Sequence, residues 1–515
     1  MSQEIMKLQN GSDVRGIALE GVADEHVNLT GEACNKIGQA FVKWLSKKTG
    51  KTADSLKIGV GRDSRVSGPA LEEAVVKGML SEGADVIRCG LATTPSMFMS
   101  IVFKQTRFDG SVEITASHLP FNRNGLKFFD KDGGLEHDDI TEILEIASGL
   151  NEKEGDIDTC LSFDLITLYA EHLKNSISNQ IAKAVTSNSL DGKIQLDKPL
   201  LGLKIVVDSG NGASGFFVDK ILRPLGADTT GSQFLNPDGM FPNHIPNPEN
   251  KQAMEAIRTA VLENKADLGL IFDTDVDRMS AVLSDGSEVN RDAIIAMAAA
   301  ILAPENPGST IITDSVTSDR LTYFLEDVLG LKHLCYMRGY KNVINKQKEL
   351  NEKGINSPLA METSGHGALK ENYYLDDGAY LAVKLVVALA LARAQGKKLD
   401  SLIEKLPPLV EEGEYRFKIL CEDFKEYGKG VLEQFRSRAE KAGYVLPESY
   451  EGVRISFKGN AENDAKGWML LRLSLHDPVM PLNIEGARKG DVEKIKAIAK
   501  ELLQGFDKLD MSALN

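Results

Sequence analysis

Three stretches of this chain repeat one pattern: a β-branched run, then an Asp- or Gly-rich turn, then a helical segment. They are Leu56-Lys-Ile-Gly-Val-Gly-Arg-Asp63, Leu203-Lys-Ile-Val-Val-Asp208-Ser-Gly-Asn-Gly212 and Thr310-Ile-Ile-Thr-Asp314-Ser-Val-Thr317. A strand that ends in such a turn and feeds a helix opens a βαβ unit, so the pattern predicts α/β architecture. The repeats lie more than 100 residues apart, which points to related domains and not to a short-period solenoid. Gly83-Ala-Asp-Val-Ile87 and Gly226-Ala-Asp-Thr-Thr230 follow the first two units and read as their second strands.

With 515 residues the chain has room for three or four domains at roughly 150 residues each. Asn151–Lys198 reads as a helix and polar connection, with Phe163, Ile166, Tyr169 and Leu173 at helical spacing. Pro304-Glu-Asn-Pro-Gly308 and Leu406-Pro-Pro-Leu409 have loop chemistry. The predicted domains are therefore α/β at residues 1–155, 156–303 and 304–408, followed by a smaller α+β domain at 409–515. In the last, Tyr415–Leu420, Val453–Phe457 and Trp468–Leu475 are strand-like, and an amphipathic helix starts at Asp491.

Composition removes several classes of function. Acidic residues outnumber basic ones 75 to 60, a net charge of −15, and counterion-displacing nucleic-acid binding needs the opposite balance. No apolar run approaches the ~18 residues of a membrane span, and the start has no basic-then-apolar leader. Five scattered cysteines with no C-x-x-C pair encode neither a disulfide framework nor a zinc site, so a reducing cytoplasm is expected. A few converging cations can still hold a phosphate locally.

Two constellations carry most of the chemistry. Ile114-Thr-Ala-Ser117-His118-Leu-Pro120 runs from a strand into a loop, with Lys127 shortly beyond. A strand-end hydroxyl beside an imidazole and an ammonium can take and return a phosphoryl group. The absence of G-x-S-x-G argues against a hydrolase elbow. Leu268-Gly-Leu-Ile-Phe-Asp273-Thr-Asp275-Val-Asp277-Arg278 delivers three alternating carboxylates and a guanidinium from a strand. Clustered carboxylates repel one another unless a cation binds, and oxygen ligands favour a hard ion such as Mg²⁺. An EF-hand is excluded, because Arg278 and Ser284 occupy positions six and twelve. Gly210-Asn-Gly212-Ala-Ser-Gly215 formally matches G-x-G-x-x-G, but Asp228 falls at the start of the next predicted strand, so it reads as a tight helix-entry turn. Met361-Glu362-Thr-Ser364-Gly-His366 could grip sugar hydroxyls, and Arg472-Leu-Ser474-Leu-His476-Asp477 could clamp a phosphate.

Taken together and in this order, these motifs resemble the α-D-phosphohexomutases, the family that includes phosphoglucomutase, phosphomannomutase and phosphoglucosamine mutase. Thr115-Ala-Ser-His-Leu-Pro120 is similar to the family's T-A-S-H-N-P loop, Asp273–Arg278 to its D-G-D-x-D-R loop, and Glu362–His366 to G-E-x-S-G-H. Val207-Asp-Ser-Gly-Asn-Gly212 is similar to V-D-C-G-N-G. The resemblance implies four domains around a central cleft, the last related to TATA-binding-protein-like domains. It implies Ser117 as phosphoserine, with Asp273, Asp275, Asp277 and a phosphoserine oxygen holding Mg²⁺. Arg15, His118, Lys127 and Arg278 would sit at the transfer point, with His118 and Lys127 both open as the proton carrier. Glu362 and Ser364 would grip the 3- and 4-hydroxyls. Arg338, Lys341, His366, Arg472, Ser474 and His476 would complete substrate binding, and hexose 1,6-bisphosphate would be activator and intermediate.

The chain departs from the family pattern at Leu119, at Met361 and through the 472–477 loop, where R-P-S-N-T-E is the usual run. Ser12-Asp-Val-Arg15-Gly16 is closer to the Y-D-I-R-G of the mannose/glucose branch than to the glucosamine branch. The expected function is thus interconversion of hexose 1-phosphate and hexose 6-phosphate, with no nucleic-acid or membrane partner. The alternatives are a phosphoglucosamine mutase or a sugar-phosphate-binding protein with little turnover.

Overall fold

The computed structural model describes residues 2–187, 192–459, 461, 464–474 and 477–514. They form two compact units, one of residues 1–290 with 364–401, the other of 291–363 with 402–515.

The first unit holds two sheets. In the N-terminal one, Lys57–Arg62 lies parallel to both Asp85–Leu91 and Gly110–Ile114. Arg123–Asp130 then runs antiparallel to Gly110–Ile114 and to Asp13–Ile17. Helix Gly31–Thr49 begins where Thr30 accepts a hydrogen bond from the Ala33 amide and stops at Gly50, which takes the left-handed conformation. Its Phe41 and Leu45 are fully buried with Ile58, Val60, Val112 and Phe128. Burying each such side chain contributes about 1.5–3 kcal/mol. The helix crosses Gly68–Ser81 at very close range: a Cβ on Gly38 would meet the Val75 carbonyl oxygen at 2.4 Å, and one on Gly78 the Asn35 oxygen at 2.0 Å. Only glycine permits that approach.

The second sheet of this unit pairs Ile205–Asp208 in parallel with Leu268–Phe272, which pairs antiparallel with Met279–Leu283. Helix Lys251–Asn264 covers it, burying Met254, Ile257 and Val261 against Val206, Ile271 and Val282. The helical stretch after Asp208 is short, a wide turn over Phe217–Leu222. Gly226–Thr230 is not a strand, contrary to the sequence pattern; it makes one isolated bridge, Lys204 to Asp228. Gly226 and Gly231, both at positive φ, bend the chain at either end of it. Gly83–Ile87, by contrast, does enter a strand, Asp85–Leu91. Helix Gly378–Ala394 belongs to this unit and packs along Leu165–Ser187, where the Tyr169 hydroxyl donates 2.6 Å to Asp377 at the helix cap.

In the second unit Thr310–Thr313 is flanked in parallel by Lys332–Cys335 and Leu359–Met361. The C-terminal part is an antiparallel sheet ordered Val453–Lys458, Lys466–Leu471, Val479–Gly486, Glu411–Ile419, Leu509–Asp510. Helices Phe424–Lys441 and Asp491–Leu502 bury Phe435 and Ile495 against Phe417, Ile455 and Leu482. The strand expected to run to Leu475 ends at Leu471. Beyond it the Arg472 and Ser474 amides bond back, to Pro481 and Val479, and Leu475 lies outside the described residues. The fold is α/β with a C-terminal α+β domain. Among the described residues no helix is long and apolar enough to cross a membrane.

Candidate active site

In the first unit, strand ends of both sheets converge. Ser117 follows the Gly110–Ile114 strand with φ +50, a left-handed conformation that a non-glycine residue rarely holds without support. The Thr115 hydroxyl supplies support by accepting the Ser117 amide at 2.9 Å. Ser117 Oγ, nearly buried, donates 3.0 Å to Asp273 Oδ2 and lies 3.3 Å from His118 Nδ1.

Asp273, Asp275 and Asp277 each present a carboxylate oxygen within 4.8 Å of the others, and all three are buried. Among the described residues, Asp275 Oδ1 and Asp277 Oδ1 accept no hydrogen bond. Buried anionic oxygens so placed fit a hard divalent cation. The protein balances the cluster with its own cations. Lys127 Nζ donates 3.0 Å to Asp275 and also bonds Asp277. Arg278 Nε lies 3.8 Å from Asp273 Oδ2, and its Nη1 3.8 Å from Glu249. Thr94, in the first turn of its helix, donates its hydroxyl 2.5 Å to Asp275 and its amide to the Asp275 carbonyl.

These neighbours sort the protonation states. Burial together with Asp277 and Asp275 raises Asp273 well above the carboxylate range. Burial opposes ionisation of Asp277 as well, but Lys127, His366 and Arg278 outweigh it and hold that group low. Burial would also neutralise Lys127; Asp275 and Asp277 keep it a firm ammonium. His118 is pushed down to about 2, first by burial and then by Arg278, His366 and Arg15, so its imidazole is neutral. His366 is buried too, yet the Asp376 carboxylate ion-paired with its Nδ1 side raises it.

Arg15 donates 2.7 Å to the Thr115 carbonyl and 2.9 Å to Asp13. Ser364 Oγ is buried with no protein partner among the described residues.

In the second unit, Glu362 Oε1 accepts the Gly339 amide at 2.6 Å. Arg338 Nε lies 3.9 Å from Asp314, whose carboxyl is raised to about 7 by burial and the Glu362 charge. Lys341 is in the first turn of helix Tyr340–Glu352. Glu451, which sequence reading passed over, ties this set together: it accepts from the Ser315 hydroxyl at 2.7 Å and the Arg338 amide at 3.0 Å, and lies 3.6 Å from Arg472 Nη1. Arg472 and Ser474 line a cavity of about 410 Å³ with Arg416, Lys418 and Asp477. His476 lies outside the described residues.

Of the predicted residues, Ser117, His118, Lys127, Arg15, Asp273, Asp275, Asp277, Arg278 and His366 are thus gathered within the first unit. Arg338, Glu362 and Arg472 form one network in the second. Thr94, Asp376 and Glu451 were missed; Asp376-Asp377-Gly378 before a helix was the available signal for Asp376.

Three family models match in chain order: Phosphoglucomutase/phosphomannomutase, alpha/beta/alpha domain I over residues 6–154, domain II over 169–286 and domain III over 290–410. A Pseudomonas putida protein, phosphomannomutase/phosphoglucomutase, is 30% identical over 89% of this chain and 90% of its own length. A Thermococcus kodakarensis phosphoglucomutase/phosphomannomutase is 30% identical over 97% and 98%. The crystal structure of a phosphoglucomutase/phosphomannomutase family protein from Burkholderia thailandensis superposes with a TM-score of 0.76 at 25% identity, covering 98% of both chains. With three consecutive domain models and full-length relatives in agreement with the site geometry, the chain belongs to the phosphoglucomutase/phosphomannomutase family of α-D-phosphohexomutases.

Proposed function

We propose that the chain is a Mg²⁺-dependent phosphohexomutase that interconverts hexose 1-phosphate and hexose 6-phosphate, acting on glucose and mannose phosphates, through phosphorylated Ser117 and a bound hexose 1,6-bisphosphate. The observation that carries this reading is the Ser117 hydroxyl, held in a left-handed backbone 3.0 Å from a cluster of three buried aspartates. In the first half-reaction the bond between phosphorus and Ser117 Oγ breaks as the bond to a sugar hydroxyl oxygen forms. In the second, the other phosphate of the bisphosphate returns to Ser117. Asp273, Asp275, Asp277 and a phosphoserine oxygen would hold a divalent cation, which would supply Lewis-acid neutralisation of the phosphoryl oxygens.

The remaining work is done by positioning and charge. Lys127, Arg278 and Arg15 neutralise the transferring group. Lys127 is bound as an ammonium by two carboxylates and His118 is neutral. Glu362 and Ser364 take the sugar hydroxyls, while Arg338 and Lys341 help hold the substrate. Arg472 and Ser474 take the non-reacting phosphate, aided by Arg416 and Lys418 from the same cavity. Five free cysteines support a cytoplasmic setting.

A coupled assay with glucose 1-phosphate and mannose 1-phosphate, plus bisphosphate activator and MgCl₂, tests the reading. Turnover of both is expected. Binding without turnover identifies a sugar-phosphate-binding protein instead, and a preference for glucosamine phosphate above about a hundredfold, near 3 kcal/mol, refutes the glucose/mannose assignment.

A further inference from the structure

The backbone that carries Ser117 is strained, and one fully buried guanidinium accounts for its shape. Arg65 has no exposed side-chain surface. Its Nη1 donates 2.7 Å to the Pro120 carbonyl and 2.9 Å to that of Arg123. Its Nη2 donates 2.6 Å to the carbonyls of Ser117 and Leu119. Its Nε stands 3.2 Å from Asp63 Oδ2. All four Nη hydrogens are therefore engaged on the loop that carries the predicted phosphoserine, while Nε faces Asp63 as an ion pair.

Asp63 closes the circuit. Its Oδ1 accepts the Arg65 amide at 2.8 Å, and its Oδ2 accepts the Thr115 hydroxyl at 2.7 Å. That hydroxyl in turn accepts the Ser117 amide at 2.9 Å. Both flanks of Ser117 are thus fixed through one ion pair: the amide through Thr115 and Asp63, the carbonyl through Arg65. The other sheet's loop seals the guanidinium from above. The Phe241 ring lies 5.2 Å from it, and Gly239 approaches so closely that a Cβ there would meet the Arg65 Cα at 2.6 Å.

The geometry points to Arg65 as the positioning residue of the phosphoryl-transfer loop, holding residues 117–123 so that Ser117 Oγ stays aimed at the carboxylate cluster. On the 117–123 loop its hydrogen bonds go to backbone carbonyls, so its contribution there is alignment and not charge at the reacting phosphorus. A lysine has three donors with no planar fork and cannot span four carbonyls. The inference rests on the mutase reading above for the consequence of misalignment, while the clamp itself can be judged apart from activity.

The test is Arg65→Lys in the full-length, metal-loaded protein, beside the double variant Asp63→Asn/Arg65→Met, which removes the buried ion pair as a pair. Three quantities are measured: kcat and KM for glucose 1-phosphate, thermal stability, and amide hydrogen exchange of residues 117–123. Misplacing a reacting atom by about 1 Å costs about a hundredfold. Arg65→Lys is therefore expected to lose kcat by about that factor with KM nearly unchanged, and to exchange faster in 117–123 than wild type. The double variant is expected to stay slow even where its melting temperature returns toward wild type. A normal kcat or normal loop exchange in Arg65→Lys overturns the proposal, as does a double variant that regains kcat with its stability, which would leave Arg65 only a structural ion pair. If the wild type turns over no hexose phosphate, the functional reading fails; loop exchange then decides the clamp by itself.

Discussion

Lys127 is the ammonium through which the protein balances its own carboxylate cluster, and Lys127→Met removes that charge while keeping most of the side-chain stem. At 3.0 Å from Asp275 and an effective dielectric near 20, one unit-charge pair amounts to about 5 kcal/mol, and Asp277 approaches as closely. Desolvation offsets much of this, so removing one partner of such a buried pair costs about 3–5 kcal/mol. A divalent cation among the aspartates supplies the missing positive charge, and Arg278 remains beside Asp273 in either case. If metal recovers half of the lower figure, about 1.5 kcal/mol, its affinity rises about tenfold in the variant. Calorimetric titration of chelator-treated protein with MgCl₂ measures this directly. Parallel melts should place the variant below wild type in chelator and closer to it in saturating metal. Activity is expected to be lost throughout, because in the proposed mechanism the ammonium also serves the transferring phosphoryl group. A folded variant that binds metal no more tightly than wild type would refute the charge-balance argument.

The parts of the site legible in the sequence are those where the chemistry itself demands a residue type at a strand end. Ser117 with its imidazole neighbour and the Asp273, Asp275 and Asp277 triplet stand out because few structural roles need them in that spacing. What stayed hidden depends on contacts distant in the chain. Thr94 reaches Asp275 from a helix start 181 positions away, and nothing local distinguishes it from an ordinary capping threonine. Arg65 looks like a surface arginine in a polar turn, and only the loop at 117–123 and the Phe241 ring make it a core residue. Glu451 lies in a loop whose pattern carries no signal, yet it joins Ser315, Arg338 and Arg472. The same limit applies to the fold. Gly83–Ile87 and Gly226–Thr230 look alike as strings, but only the first enters a strand; the second is broken by the positive-φ turn at Gly231, which leaves two isolated bridges, Lys204 to Asp228 and Asp208 to Gln233.

Ser117→Ala should abolish the phosphate adduct seen by intact-mass analysis of purified protein; an adduct that persists, with activity, would move the nucleophile elsewhere. Thr94→Val, which removes a buried 2.5 Å bond to Asp275 without changing shape, should destabilise by about 1–3 kcal/mol in thermal or urea unfolding, and an unchanged midpoint would show that bond to be inconsequential. Asp275→Asn should weaken Mg²⁺ binding and lower turnover by several kcal/mol of transition-state stabilisation, and full activity in chelator would contradict it. A buried histidine–aspartate pair lies outside the carboxylate cluster. His244 Nε2 stands 3.1 Å from both oxygens of Asp208, and its Nδ1 is 2.9 Å from the Ile245 carbonyl, so each ring nitrogen faces an acceptor. Burial opposes the imidazolium, but Asp208 and that carbonyl raise its pKa above the ordinary value. A group whose folded pKa is raised stabilises fully below its unfolded pKa, about 6.5, and loses that contribution as pH climbs through the folded value. Urea midpoints of the wild type should therefore fall between pH 6 and pH 9 by more than those of His244→Gln. Parallel profiles for the two proteins would mean that the buried pair does not carry the charge its geometry implies.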